Sequence, residues 1–321
     1  MSTQTEDYAA IHDQVAYVEL DPRTLLEVTG ADRSAFLHKF CTNDVLQLER
    51  GSGCEAFLAN VQGKIVGHGL FFCYDGMLRF STVPDQGNRL VEHLDRYILR
   101  EDVQVHDRTD AWRELVIAGR SAESLLQRVL GRPLPTERFE HAVVPLGDHD
   151  VHVARVDWIT PPHLLLRLPA QRLADVVELL REAGATQCGV AAFEAARIEH
   201  GTPWFGRDID SNRFPQEIGR DRQAICFTKG CYLGQETVAR LDALGHVNHR
   251  LVGIRFEGTD VPERDTELEV EGKLVGQVTS AVLSPKLDAP LALGYVRRGH
   301  NHPGTRLDSR HGRAHVVELP V

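Results

Sequence analysis

The sequence predicts an α+β fold of two mixed subdomains followed by a C-terminal antiparallel β-barrel, and three observations carry that expectation. Short strands rich in Val, Leu and Tyr alternate with amphipathic helical stretches up to about position 248. The helical stretches stop at glycines, as at Gly131, Gly184 and Gly201, the residue type that best tolerates the left-handed turn ending a helix. From His249 the helical period disappears, and short strands are split by Glu271-Gly272, Ser284-Pro285 and Pro303-Gly304. No G-x-G-x-x-G follows a strand, which argues against a dinucleotide fold.

In chain order, Gln14–Leu20 and Thr24–Val28 read as strands, and Ala31–Phe40 as a helix with an apolar face of Ala35, Phe36, Leu37 and Phe40. Ala56–Ala59 and Ile65–Cys73 flank the turn Val61-Gln62-Gly63-Lys64, and Leu78–Thr82 follows the turn Asp75-Gly76. Leu90, Leu94, Tyr97 and Ile98 recur at helical spacing. Glu101–His106 and Trp112–Ala118 return to strand. A second round runs through helix Ser121–Leu130, strands Ala142–Val144 and Val151–Val156, a helix marked by Leu173, Val176, Val177 and Leu180, and helix Val190–His200. The barrel strands are expected at Leu251–Phe256, Glu267–Val270, Leu274–Leu283, Leu291–Val296 and Ala314–Leu319. The pattern places domain boundaries at 1–119, 120–248 and 249–321.

Composition narrows the function classes. A chain of 321 residues, 42% hydrophobic and 26% charged, can bury a large core. A net charge of −10 argues against direct nucleic-acid binding. The acidic, polar start resembles neither a signal nor a transit peptide, and no apolar run reaches membrane-spanning length. A cytoplasmic protein with no membrane partner is expected, as a monomer. Its six cysteines form no C-x-x-C pair and read as thiols. His246 with His249, and His300 with His302, read as solvated loop or strand residues.

One stretch stands apart: Lys229-Gly230-Cys231-Tyr232-Leu233-Gly234-Gln235-Glu236, continued by Thr237-Val238-Ala239-Arg240. Its glycines allow close backbone approach or positive φ. Lys229, and a helix beginning near Gln235 and running to Leu241, would favour the thiolate of Cys231. A turn with Cys231 as a small packed hydrophobe is the plainer alternative.

This stretch is similar to the hallmark of the YgfZ-type folate-binding proteins, paralogues of the glycine cleavage T-protein (aminomethyltransferase). The resemblance continues through Phe36-Leu37 to Cys41-Thr42-Asn43-Asp44-Val45, Leu58-Ala59-Asn60-Val61-Gln62-Gly63-Lys64, Arg197-Ile198-Glu199-His200-Gly201, and Gly276-Gln277-Val278-Thr279-Ser280 in the barrel. It implies a cloverleaf fold around a channel for tetrahydrofolate or a related reduced folate, with Asn60, Glu199 and Arg240 at or near the pterin. It also implies assembly or repair of iron–sulfur enzymes, indirectly affecting tRNA modification. The partners would be cluster-assembly proteins or client enzymes, and Cys231 the functional thiol. No resident metal follows; Cys231 could only share a cluster with a partner.

The chain departs from the transferases in one place. Where they carry an essential aspartate after the hairpin, this chain has Ile65-Val66-Gly67-His68-Gly69. Aminomethyltransferase activity is therefore not expected. A folate-dependent one-carbon transferase or demethylase, and an adaptor with a vestigial pocket, remain as alternatives. Trp204 is the one tryptophan in a channel-related motif; Trp112 and Trp158 lie outside.

Overall fold

In the computed structural model, which describes residues 4–321, three β-units surround a common junction. The first is a five-stranded antiparallel sheet in the spatial order Gly53–Ala59, Ile65–Tyr74, Met77–Thr82, Leu25–Thr29, Gln104–Asp107. Alternation along these strands divides the residues between two faces. Leu26, Val28, Phe71 and Phe80 meet Phe36, Leu37, Leu90 and Leu94 from helices Arg33–His38 and Gly87–Asp95. The opposite face carries Glu55, Phe57, His68, Leu70 and Phe72 toward the rest of the molecule.

The second sheet has six strands in the order Thr186–Gln187, Ala16–Glu19, Trp112–Ala118, His163–Pro169, His149–Val156, His141–Leu146. Helices Ala122–Leu130 and Leu173–Glu182 cover one face through Leu125, Leu126, Val176 and Leu180. The other face meets Phe72 and Tyr74 of the first sheet and Phe193 of helix Val190–His200. An expected division at residue 119 does not follow these sheets. Ala16–Glu19 and Trp112–Ala118 lie before it, yet they are neighbouring inner strands of the second sheet. Local pattern identifies a strand but not its partner.

The third unit is a closed barrel in the order His249–Phe256, Ala289–Arg297, Lys273–Ser284, Glu267–Val270, Arg306–Ser309, Gly312–Val317, with the last strand returning to the first. Closure leaves no free sheet edge. Its interior is Ile254, Phe256, Leu268, Val278, Val296 and Val316. The strand Arg306–Ser309 has no sequence counterpart above, because Arg306, Asp308 and Ser309 give it too little apolar alternation.

Two further differences have local causes. The acidic N-terminal stretch folds as helix Gln4–Asp13, with weak amphipathicity of its own. It forms because Ala10 and Ile11 are buried against the core that helix Val190–His200 completes. Helix Arg33–His38 is shorter than the expected Ala31–Phe40.

A buried ion network ties the barrel to the middle of the chain. Arg197 donates to Glu194 Oε2 at 2.8 Å, Asp208 Oδ2 at 2.9 Å and the Thr202 carbonyl at 3.1 Å. The other Asp208 oxygen accepts from Thr279 at 2.7 Å and Ser280 at 2.6 Å, both on a barrel strand. Arg197 is fully buried, so these partners are what make its charge tolerable there.

Candidate functional site

The first sheet brings a carboxylate and an imidazole together at the junction. Phe57 stands opposite His68 on adjacent strands, and Glu55, two residues earlier, projects from the same face. His68 Nε2 lies 2.7 Å from Glu55 Oε1, and its ring stacks on Phe57 at 4.7 Å. Arg220 donates to both carboxylate oxygens, at 2.6 Å for Oε2, and Arg138 adds a contact at 3.1 Å. Burial alone would raise the Glu55 pKa. The Arg220 guanidinium and the hydrogen bonds from His68 and Arg220 outweigh it and hold the carboxyl well below its usual range.

These groups line one end of a small chamber with a free volume of about 30 Å³, room for about one water molecule. Trp158, Trp204, Phe205, Val83 and Arg23 also line it. The two indoles meet edge to face at 6.2 Å, and the Arg23 guanidinium lies over both, 4.6 and 4.9 Å from the ring centres. Arg23 Nε is 3.1 Å from Glu114 Oε2, while Nη1 has no hydrogen-bond partner among the described residues. Burial lowers the Arg23 pKa to about 10, which leaves it charged at neutral pH. A carboxylate-held imidazole can accept or release a proton, and indole faces suit a flat ring.

The three residues expected at a pterin lie apart from this chamber. Asn60 Oδ1 accepts from the N–H groups of Gln62 and Lys64, both at 3.0 Å, and so shapes the hairpin turn. Glu199 is buried, but Tyr8 and Ser284 donate their hydroxyls to its two oxygens, and the Lys286 N–H adds a contact at 3.3 Å. A paired contact to a pterin edge would need those hydroxyls to leave. Arg240 is exposed on helix Gln235–Leu244. None of the three lines the chamber.

The stretch around Cys231 is a docked loop. The Lys229 ammonium donates to the carbonyls of His38 (2.7 Å), Cys41 (2.7 Å) and Asn43 (2.9 Å). Its three N–H groups are thereby engaged on the first unit. Leu233 N–H donates to Lys39 O at 2.8 Å and Cys226 N–H to Thr42 O at 2.9 Å, extending the seam. Tyr232 is buried beside Lys229, and its N–H lies 3.3 Å from Gln235 Oε1. A Cβ on Gly230 would stand 3.6 Å from His38 Nε2, and Gly234, with φ +79°, begins helix Gln235–Leu244. Cys231 and Glu236 are exposed, and Cys231 does not line the chamber. Among the described residues, no group of three or more His, Cys, Asp or Glu side chains is placed to hold a metal ion. No described helix is long and apolar enough to cross a membrane.

Sequence reasoning missed Glu55, Arg23, Arg220 and Trp158. A carboxylate in the apolar run Cys54-Glu55-Ala56-Phe57-Leu58 was the available signal, since a buried charge demands partners.

Comparison with known proteins matches residues 1–225 to the GCVT N-terminal domain and residues 249–321 to the glycine cleavage T-protein C-terminal barrel domain. The chain is 25% identical to an aminomethyltransferase of Nostoc sp., over 91% of this chain and 79% of that one. It is 27% identical to an aminomethyltransferase of Symbiobacterium thermophilum, over 99% and 89%. Its fold superposes on the crystal structure of glycine cleavage system aminomethyltransferase T from Bartonella henselae with a TM-score of 0.89 at 19% identity, covering 99% of this chain and 89% of that one. The expected cloverleaf with its C-terminal barrel is the fold observed.

Proposed function

The chain belongs to the glycine cleavage T-protein family, and on that premise we propose that it is a folate-binding accessory protein serving the assembly or repair of iron–sulfur enzymes. The observation that carries this reading is the exposure of Cys231 on a loop fastened by Lys229. A thiol displayed on a fixed surface loop, apart from the central chamber, suits a macromolecular partner better than a ligand inside the protein. One thiolate cannot hold a cluster alone, so Cys231 would act with groups the partner supplies, as ligand, nucleophile or redox group. The reduced folate belongs in the chamber, its flat ring against Trp158 and Trp204, once that space opens.

Two measurements test the reading. Cys231→Ser should abolish or greatly reduce support for a cluster enzyme in a complementation assay, while folding is unchanged. Calorimetric titration with tetrahydrofolate should show saturable binding that Trp204→Ala weakens. Full complementation by the serine variant would show that the Cys231 thiol is dispensable and overturn the reading.

A second reading, a tetrahydrofolate-dependent one-carbon transferase or demethylase, is favoured by the Glu55–His68 pair. The strand after the hairpin lacks a carboxylate, but Glu55 approaches from the neighbouring strand. That reading requires turnover that His68→Ala abolishes. With the aminomethylated carrier and tetrahydrofolate, the accessory reading expects no turnover above the enzyme-free rate.

A further inference from the structure

On the far side of Arg23 lies a second cavity, an outer cleft of about 260 Å³ lined by Leu20, Asp21, Pro84, Gln86, Glu194 and Arg207 among others. The inner chamber and the outer cleft share four residues: Arg23, Val83, Trp204 and Phe205. These four are the partition between them. We propose that chamber and cleft are two halves of one ligand channel, and that Arg23 is its gate, displaced from the two indoles by a flat heteroaromatic ligand. The ligand class rests on the folate reading above; the gate does not.

Three features make Arg23 the movable part of that partition. First, its guanidinium covers both indole faces, the surface on which a flat ring would stack, so ligand and guanidinium compete for one place. Second, its hold is incomplete. The side chain is more than nine-tenths buried, yet Nη1 has no partner and a single carboxylate oxygen faces Nε. Third, leaving does not strip that carboxylate of its counter-ion, although Oε2 then loses the one cation that faces it. Glu114 Oε1 already accepts from Arg167 Nε at 2.7 Å and from Ser81 at 3.1 Å, so the pair Glu114–Arg167 remains. Asp21 and Asp85 on the cleft wall can receive the departing cation. The walls that would stay are packed: Trp158 belongs to the core between the sheets, and Phe205 to the junction with the barrel. In the closed state the 30 Å³ chamber is too small for any bicyclic ring, so opening must precede or accompany binding. Opening would also widen the access of the Glu55–His68 pair, where His68 is already partly exposed.

The gate is testable without any ligand, by the rate at which diethyl pyrocarbonate modifies His68, followed by peptide mass spectrometry. Arg23→Ala should raise the His68 rate about tenfold, as expected when a mostly closed state no longer limits access. His141, His152 and His163 are buried elsewhere and should stay slow, which reports an intact fold. Should Arg23→Ala unfold the protein and accelerate all four, Val83→Ala decides, since it thins the same partition without touching a charge. His68 rates equal to wild type in a folded variant overturn the gate. Tetrahydrofolate is then added to both proteins. Protection of His68, stronger in Arg23→Ala, supports gate and ligand together. Accelerated labelling that millimolar tetrahydrofolate leaves unchanged sustains the gate and sinks the folate reading.

Discussion

Gly63 and Gly234 meet backbone to backbone where the first hairpin touches the loop that carries Cys231. Both have positive φ, +76° and +79°. A Cβ on Gly63 would stand 2.8 Å from the Gly234 carbonyl oxygen, and one on Gly234 would stand 2.4 Å from the Asn60 carbonyl oxygen. The hairpin and the Cys231 loop are thus one structural unit, although far apart in sequence.

Either glycine changed to alanine therefore meets a backbone clash and a left-handed conformation at once. Gly63→Ala and Gly234→Ala should each lose about 2 kcal/mol or more in urea unfolding. Because they break the same contact, the double variant should lose clearly less than the sum. Additive losses would mean that the two turns are strained independently.

The Lys229 and Cys231 side chains should separate stability from function. Lys229→Met leaves three carbonyls at the seam without their ammonium and should cost about 3 kcal/mol. Cys231→Ser, on an exposed position, should stay within about 0.5 kcal/mol of the parent. Cys231 should also be alkylated before Cys41 and Cys188. Those two are buried, and burial pushes their pKa up to about 11 and about 12. Thiol mapping by mass spectrometry at short reaction times checks the order. Early labelling of Cys41 would show that the seam opens.

Glu55 is the acceptor for His68, Arg220 and Arg138 together, so its loss leaves Arg220 buried with no carboxylate. Glu55→Gln should destabilise by about 3–5 kcal/mol. Its pKa is lowered on folding, so its stabilisation is complete above the unfolded carboxylate range near ~4.3 and is lost as pH falls toward the folded value. Urea midpoints of the parent and Glu55→Gln should therefore converge only at strongly acidic pH. A constant gap across the acid range would mean that Glu55 acts by shape and not by charge.

How much of this was legible in the sequence depended on how local the cause was. Glycines that end helices were legible, because Gly131 and Gly201 act on their own turn, with φ of +62° and +84°. The barrel was legible because each strand is cut out by its own turn residues. Residues whose partners are distant were not. Asn60 was ambiguous for a different reason: its partners are local, but it looks the same whether it faces a ligand or closes a turn, and here Gln62 and Lys64 occupy it. Lys229 sits two residues from Cys231, yet its contacts lie on the segment 38–43. Glu55 and His68 meet only through strand register, and Trp158 reaches the chamber from the second sheet's side. Register and docking are properties of pairs of segments, and one segment's pattern does not contain them.

The buried histidines give the sharpest test of the core. Burial, with Arg167 for His141 and with His200 for His163, lowers their pKa to about 4 and about 3. A lowered value means that the unfolded chain binds the proton more readily. Stability from each is therefore full above the unfolded value near 6.5 and falls as pH drops toward the folded value, by up to about 1.4 kcal/mol per pH unit. His163 is the more extreme case. Both ring nitrogens lack hydrogen-bond partners among the described residues, and the ring lies near Trp158 and Phe193 at 5.8 and 6.3 Å. His163→Phe keeps a flat ring there, removes two unsatisfied polar atoms and should stabilise by about 1–2 kcal/mol at pH 7. It should also flatten the decline between pH 6 and pH 4 by about one histidine's slope, about 1.4 kcal/mol per unit. Chemical denaturation at several pH values reads both effects. An unchanged acid slope would show that His163 takes up its proton in the folded state, so that its pocket is open to water and not sealed.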